Sequence, residues 1–171
     1  AGHRVWSLAR EATPIEHPML HSRVVDLTDL AATRETARAI CAQDTVSVLV
    51  HNAGAMRPAL LPDVDLDDLH ALVDLHLGSA VVLAQAVLPG MRAQRHGRIV
   101  LVSSRALLGL ATRTSYSATK AGLVAMARTW ALELGADGIT ANVVAPGPVV
   151  TDMFHEVIPR DEARVAQLAQ A

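Results

Sequence analysis

The sequence is short of several residue types. It holds one cysteine, Cys41, which excludes an intrachain disulfide and fits a reducing, cytoplasmic compartment. Neither sign of charge is in excess: 15 basic residues face 17 acidic ones, for a net charge of −2. That balance leaves no electrostatic footprint for nucleic acid. No uninterrupted apolar run reaches membrane-spanning length, because Asp74, His76 and Gln85 break the longest candidate. No signal-peptide pattern, fixed-period repeat or low-complexity tract is visible. No two of the ten glycines are separated by a single residue. His70 and His76 are not at metal-ligand spacing and no Cys/His pattern matches a zinc site, so no metal is expected.

What remains is a chain of 171 residues, 51% of them hydrophobic, enough for one domain with a real core. Short apolar runs read as strands at Arg4–Leu8, Arg23–Leu27, Thr45–Val50, Arg98–Ser103 and Ile139–Ala145. Helical patterns separate them. Asp29 opens one through Ala42. Asp65 caps a long one reaching Leu88, with Pro89 and Gly90 as its stop. Tyr116–Leu134 is a third, with Gly135 as its C-cap, and Arg160–Gln170 a last. Such alternation predicts a doubly wound parallel α/β sheet, in three layers. Ligands of such sheets sit beyond the carboxyl ends of the strands. Asp26, Asn52–Gly54, Ser103 with Ser104, and Pro146–Thr151 all fall there.

Tyr116 is the only tyrosine and Lys120 the only lysine, in the stretch SYSATKAG. Their spacing puts them on one helix face, a turn apart. A free phenol, with a pKa near ~10, is a poor acid–base catalyst at neutral pH. A neighbouring ammonium favours the phenolate. A tyrosine so placed can exchange a proton with a carbonyl or alcohol oxygen. The spacing is also that of an ordinary solvent-facing stripe, and its weight comes from the strand-end pattern around it.

Together, VVDLTD, HNAG, GRIVLVSS, YSATKAG and NVVAPGPVVTDM resemble the short-chain dehydrogenase/reductase family over nearly the whole chain, with a likeness to its 3-oxoacyl-carrier-protein reductases. The resemblance implies a Rossmann-type sheet, a nicotinamide cofactor and interconversion of a carbonyl and an alcohol. It makes Tyr116 the general acid or base and Lys120 its partner, which also binds the nicotinamide ribose. Ser104 would orient the substrate oxygen. Counting from Gly97 along the strand selects Ser104, whereas counting back from Tyr116 selects Ser103. Asp26 would accept from the adenine amino group, with Leu27 packing nearby, unless Asp26 is only a helix N-cap or a loop acid. Asn52, Ala53 and Gly54 would line the adenosine ribose. Pro146, Gly147, Val149 and Thr151 would hold the nicotinamide end. Ala9 and Arg10 stand where NAD-preferring members carry an acid. A guanidinium there suits a 2′-phosphate, so NADP(H) is expected over NAD(H).

The chain also departs from the family. Its phosphate-binding glycine fingerprint is missing, and the expected first strand and C-terminal part have no counterpart, as if the sequence were part of a longer one. His76 replaces an asparagine that helps hold a proton-relaying water. An imidazole there holds a water, relays protons itself, or simply packs. The rival reading is therefore a catalytically silent dinucleotide-binding or scaffolding homologue. The family also implies a homodimer or homotetramer built on the two long helices, and a lid after Thr151 with Met153, Phe154 and Val157 as apolar wall.

Overall fold

The computed structural model describes residues 2–149. Thr151, the three lid residues and the expected Arg160–Gln170 helix lie outside the described residues. Within them, β1 (Val5–Ala9) and β2 (Leu20–Val24) pair in parallel, Val5 opposite Leu20 and Ala9 opposite Val24. The second strand thus runs earlier than the expected Arg23–Leu27. The N–H of Val5 bonds the Met19 carbonyl and fixes that register, and Val25 and Leu27 turn into the core after the strand has ended. Trp6 ties β1 both to Asp44 and to β2: its Nε1 donates to Asp44 Oδ2 at 2.8 Å, and the Arg23 guanidinium lies 4.6 Å above its ring.

Helix α1 (Leu30–Gln43) starts where Asp29 predicts, since that carboxylate accepts from the amides of Ala31 and Ala32. Its buried residues Thr33, Ala37 and Ile40 follow helical spacing. A second sheet holds β3 (Val48–His51), β4 (Gly97–Val102) and β5 (Ile139–Val144), all parallel, in that order. Register runs His51 to Leu101 and Leu101 to Val143, so the three carboxyl ends finish side by side.

The long helix is more elaborate than its pattern predicts. Asp65 caps α2 (Leu66–Val73), a π-helical turn occupies Asp74–Gly78, and α3 (Ser79–Gln94) continues past Pro89 and Gly90. Those two residues do not end it. Proline forfeits one helical hydrogen bond, but Val87 and Met91 on either side are buried in the core, and burial of two such side chains is worth about 3–6 kcal/mol. By length and composition alone the Leu66–Gln94 stretch is long and apolar enough to cross a membrane, its most apolar 18-residue window having a mean hydropathy of 1.8. Here it packs along the sheet, with Ala80, Ala84, Val87 and Met91 against Ile99 and Leu101 of β4.

Helix α4 (Thr114–Leu134) adds Leu123, Ala127 and Leu134 to that core. Gly135 is its C-cap, as expected, with a helical rather than left-handed backbone. A tight turn over Gly135–Asp137 carries the chain to Gly138, whose φ is +73°. Helices α3 and α4 thus share one core against the face of the three-stranded sheet that carries Ile99 and Leu101. On the other face of the three-stranded sheet, Val48, Val50 and Val144 are about half exposed.

Candidate active site

The site grows from the carboxyl ends of β3 and β4 and from the first two turns of α4. Ser103, just past β4, is buried, and its Oγ donates to the Lys120 carbonyl at 2.7 Å. This bond fixes α4 against β4. Ser104 is half-buried and caps the turn Arg105–Leu108, its Oγ accepting from the Ala106 amide at 3.1 Å. The hydroxyl of Ser103 therefore faces inward, and Ser104 is the one at the rim.

Tyr116 is half-buried and Lys120 is buried. The Lys120 ammonium lies 5.6 Å from the centroid of the Tyr116 ring and donates to the Val102 carbonyl at 2.8 Å. Burial pushes the Lys120 pKa down to about 8. Gly54 comes up against the same group: a Cβ built on it would meet Lys120 Nζ at 3.4 Å and His76 Nε2 at 3.3 Å. The His76 ring meets Tyr116 edge-on, their centroids 5.7 Å apart. Four residues singled out in the sequence, Gly54, His76, Tyr116 and Lys120, thus converge. The arrangement suits proton exchange at a half-exposed phenol beside a cation.

His76 is fully buried in the π turn, and both ring nitrogens are engaged. Nε2 accepts from the Ala55 amide at 3.2 Å, and Nδ1 lies 2.8 Å from Thr119 Oγ1. His51, at the end of β3, is also buried, with Nε2 2.8 Å from Ser79 Oγ. Burial, with the Lys120 charge adding to it, pushes His51 down to about 4 and His76 to about 3. Both rings are neutral in the fold, whereas an unfolded histidine titrates near ~6.5. Between about pH 6.5 and about 4 the unfolded chain binds protons that the folded chain refuses. Stability should therefore fall as pH falls through that window, by up to ~1.4 kcal/mol per pH unit for each ring. Urea unfolding at about pH 7 and about pH 5 measures it, and unchanged stability would contradict the neutral pair.

The other sequence-selected residues follow the carboxyl ends of strands in the two separate sheets. Asp26 is exposed after β2. Its carboxyl is held below the usual range first by the amide and hydroxyl of Thr28, both donating to Oδ1, and also by the Arg10 guanidinium. Arg10 and Asp26 are therefore electrostatic neighbours past β1 and β2. Leu27 is buried and belongs to the core. Asn52 is exposed and Ala53 half-buried. Pro146 is half-buried, its carbonyl accepting from the Arg105 amide at 2.9 Å, while Gly147 and Val149 are exposed.

A nicotinamide dinucleotide fits these strand ends in part. Gly54 leaves open a position that a Cβ would fill beside Lys120, and Arg10 with Asp26 offers both a cation and an acceptor. A glycine-rich turn for the pyrophosphate has no counterpart among the described residues. Sequence reasoning passed over Thr119, Ser79 and the Val102 carbonyl. Only the place of Thr119 just before Lys120 pointed to any of them.

Parallel strands, helical crossovers and a tyrosine–lysine pair at the strand ends define a Rossmann-like α/β chain of the dehydrogenase type. The family model for short chain dehydrogenase matches residues 3–162, and the chain belongs to that family. Among curated relatives it is 42% identical over 117 residues to (2S)-[(R)-hydroxy(phenyl)methyl]succinyl-CoA dehydrogenase subunit BbsD of Thauera aromatica, covering 68% of this chain and 47% of that protein. It is 35% identical over 149 residues to the 3-oxoacyl-[acyl-carrier-protein] reductase FabG of Escherichia coli, covering 86% of this chain and 60% of the relative. The chain therefore spans roughly half to three-fifths of these relatives. Among solved structures, a putative NAD(P)-dependent gluconate 5-dehydrogenase from Beutenbergia cavernae, with bound NADP, is 31% identical with a TM-score of 0.82, over 88% of this chain and 61% of that one. A short-chain oxidoreductase from Burkholderia thailandensis is 36% identical with a TM-score of 0.81, over 99% and 65%.

Proposed function

We propose that this chain carries the catalytic groups of an NADP(H)-dependent oxidoreductase that interconverts a carbonyl and an alcohol. The observation that carries the reading is the buried Lys120 ammonium beside the half-exposed Tyr116 ring, with Gly54 in contact range of the lysine. When bound, the nicotinamide supplies the hydride that no side chain can. Tyr116 gives the proton to the substrate oxygen in reduction and takes it back in oxidation. Lys120 keeps a positive charge beside the phenol. Ser104 orients the substrate oxygen. Asn52, Ala53 and Gly54 line the adenosine side, Asp26 meets the adenine, and Pro146, Gly147, Val149 and Thr151 hold the nicotinamide end. Among the relatives, the 3-oxoacyl-[acyl-carrier-protein] reductase and the hydroxy(phenyl)methylsuccinyl-CoA dehydrogenase subunit carry an oxo and a hydroxy acyl group in their names, which supports a small ketone or acyl-type substrate. The outer faces of the two long helices, with Leu132 of α4 87% exposed, support assembly as a homodimer or homotetramer.

NADPH oxidation over a panel of carbonyl compounds tests the reading. Tight NADPH binding without turnover of any carbonyl would favour the silent homologue. Cofactor choice has its own test. The Arg10 guanidinium suits a 2′-phosphate and a carboxylate would repel it, so Arg10→Glu should lower kcat/KM for NADPH by about tenfold or more while NADH is little affected. An unchanged NADPH to NADH ratio would remove Arg10 from the site.

A further inference from the structure

The segment Asn52–Gly54, which the proposed function sets against the dinucleotide, is flanked on both sides by residues bonded through a buried histidine. On one side stands His51 itself. The Ser79 hydroxyl donates to the Leu75 carbonyl, so it has no proton left for the ring, and His51 must donate from Nε2. Its Nδ1 is then bare, and it is a buried acceptor without a partner among the described residues. On the other side the Ala55 amide donates to His76 Nε2, so that nitrogen is bare and Nδ1 carries the proton. Thr119 Oγ1 accepts it and passes its own hydrogen to the carbonyls of Ser115 and Tyr116. The two rings thus hold opposite tautomers, each set by its neighbours.

We propose that His51 and His76 form a two-point clamp that fixes Asn52–Gly54 against Tyr116 and Lys120, and that both act as positioning residues rather than proton carriers. His51 anchors the start of the segment to the π turn through Ser79 and Leu75. His76 anchors its far end to α4 through Thr119, the residue next to Lys120. Gly54 lies between the anchors, within contact range of His76 and Lys120, so a small slip of the segment alters its distance to the ammonium. A relay would need a ring nitrogen free to exchange protons towards Lys120, and both nitrogens of His76 are already committed. The ionisable groups facing the pair are the Lys120 ammonium of α4, which bears on both rings, the edge-on Tyr116 beside His76, and the two histidines themselves.

This inference rests on the dinucleotide reading of Asn52–Gly54, and its test has a part that does not. Imidazole nitrogen shifts in the intact protein should show one Nε2–H and one Nδ1–H ring that do not titrate between about pH 8 and about pH 5. Either ring protonating near its ordinary value would overturn the clamp, whatever the protein catalyses. His76→Leu leaves the Ala55 amide without its acceptor and should raise the NADPH dissociation constant about tenfold or more, with His76→Asn, which keeps one donor and one acceptor, restoring most of the loss. Should His76→Leu fail to fold, Thr119→Val removes the outer anchor at nearly constant shape and should weaken NADPH in the same direction. Wild-type NADPH affinity in these variants, with kcat lost and an ionisation gone from its pH profile, would make His76 a relay and overturn the proposal. Failure of the wild-type protein to bind any dinucleotide would instead sink the functional reading, while the tautomer measurement would still decide whether the rings are locked.

Discussion

Tyr116→Phe should bind NADPH as the parent does and lose carbonyl reduction by about a hundredfold to ten-thousandfold, the usual contribution of a positioned general acid. The substitution removes one hydroxyl and keeps the ring that packs edge-on against His76, so the fold should survive. Lys120→Met should be worse behaved. It removes the charge beside the phenol and also the bond to the Val102 carbonyl, which helps join α4 to β4. The parent should show an alkaline decline in turnover with an inflection near the lysine's value of about 8. The sign comes from its lowered pKa: the ammonium is present below that pH and lost above it. Stopped-flow NADPH oxidation with saturating carbonyl separates the chemical step from binding. Full turnover by Tyr116→Phe would end the case for this residue as the acid.

Gly138→Ala should unfold the protein or lower its stability by about 3–5 kcal/mol, at the upper end of what single substitutions do. Two causes add. The backbone there is left-handed, with φ at +73°, which costs a residue with a Cβ about 1–2 kcal/mol. The new Cβ would also stand 2.2 Å from the Arg95 carbonyl oxygen, and that atom is main chain at the end of α3, so it cannot swing aside as a side chain would. The Arg95 guanidinium, bonded to the Ala136 carbonyl at 2.9 Å, holds the two turns together. Chemical denaturation of the parent and variant measures the difference. A loss below about 0.5 kcal/mol, the range of an ordinary surface change, would mean that these turns do not meet as described.

These two predictions also mark what the sequence discloses. Lone copies of tyrosine and lysine at helical spacing, read with strand-end motifs, lead to Tyr116, Lys120 and Gly54, because those signals are local. The strands that carry these residues are legible for the same reason: short β-branched runs bounded by turn residues. Where local rules compete with packing they fail. Pro89 and Gly90 read as a helix stop, yet Met91 beyond them lies fully buried under Gly97. Gly135 reads as a cap and is one, yet it is the close approach of Arg95 that requires a glycine, and it does so at position 138. The bonds of His51 and His76 were beyond reach. They depend on which elements meet across the fold, and neither ring chooses its tautomer until its neighbours are in place.

The π turn at Asp74–Gly78 has one more consequence, for insertions and deletions. Each helical residue advances the chain by about 100°, and the widened turn takes up one extra residue, so the helix on either side keeps the facing of a regular helix one residue shorter. Deleting a single residue there would let the helix run on without a break, with α2 and α3 still presenting the same faces. The change would fall on the turn itself, which carries His76 and its bonds to Ala55 and Thr119. The same deletion in the regular helix on either side would instead turn everything beyond it by roughly 100°.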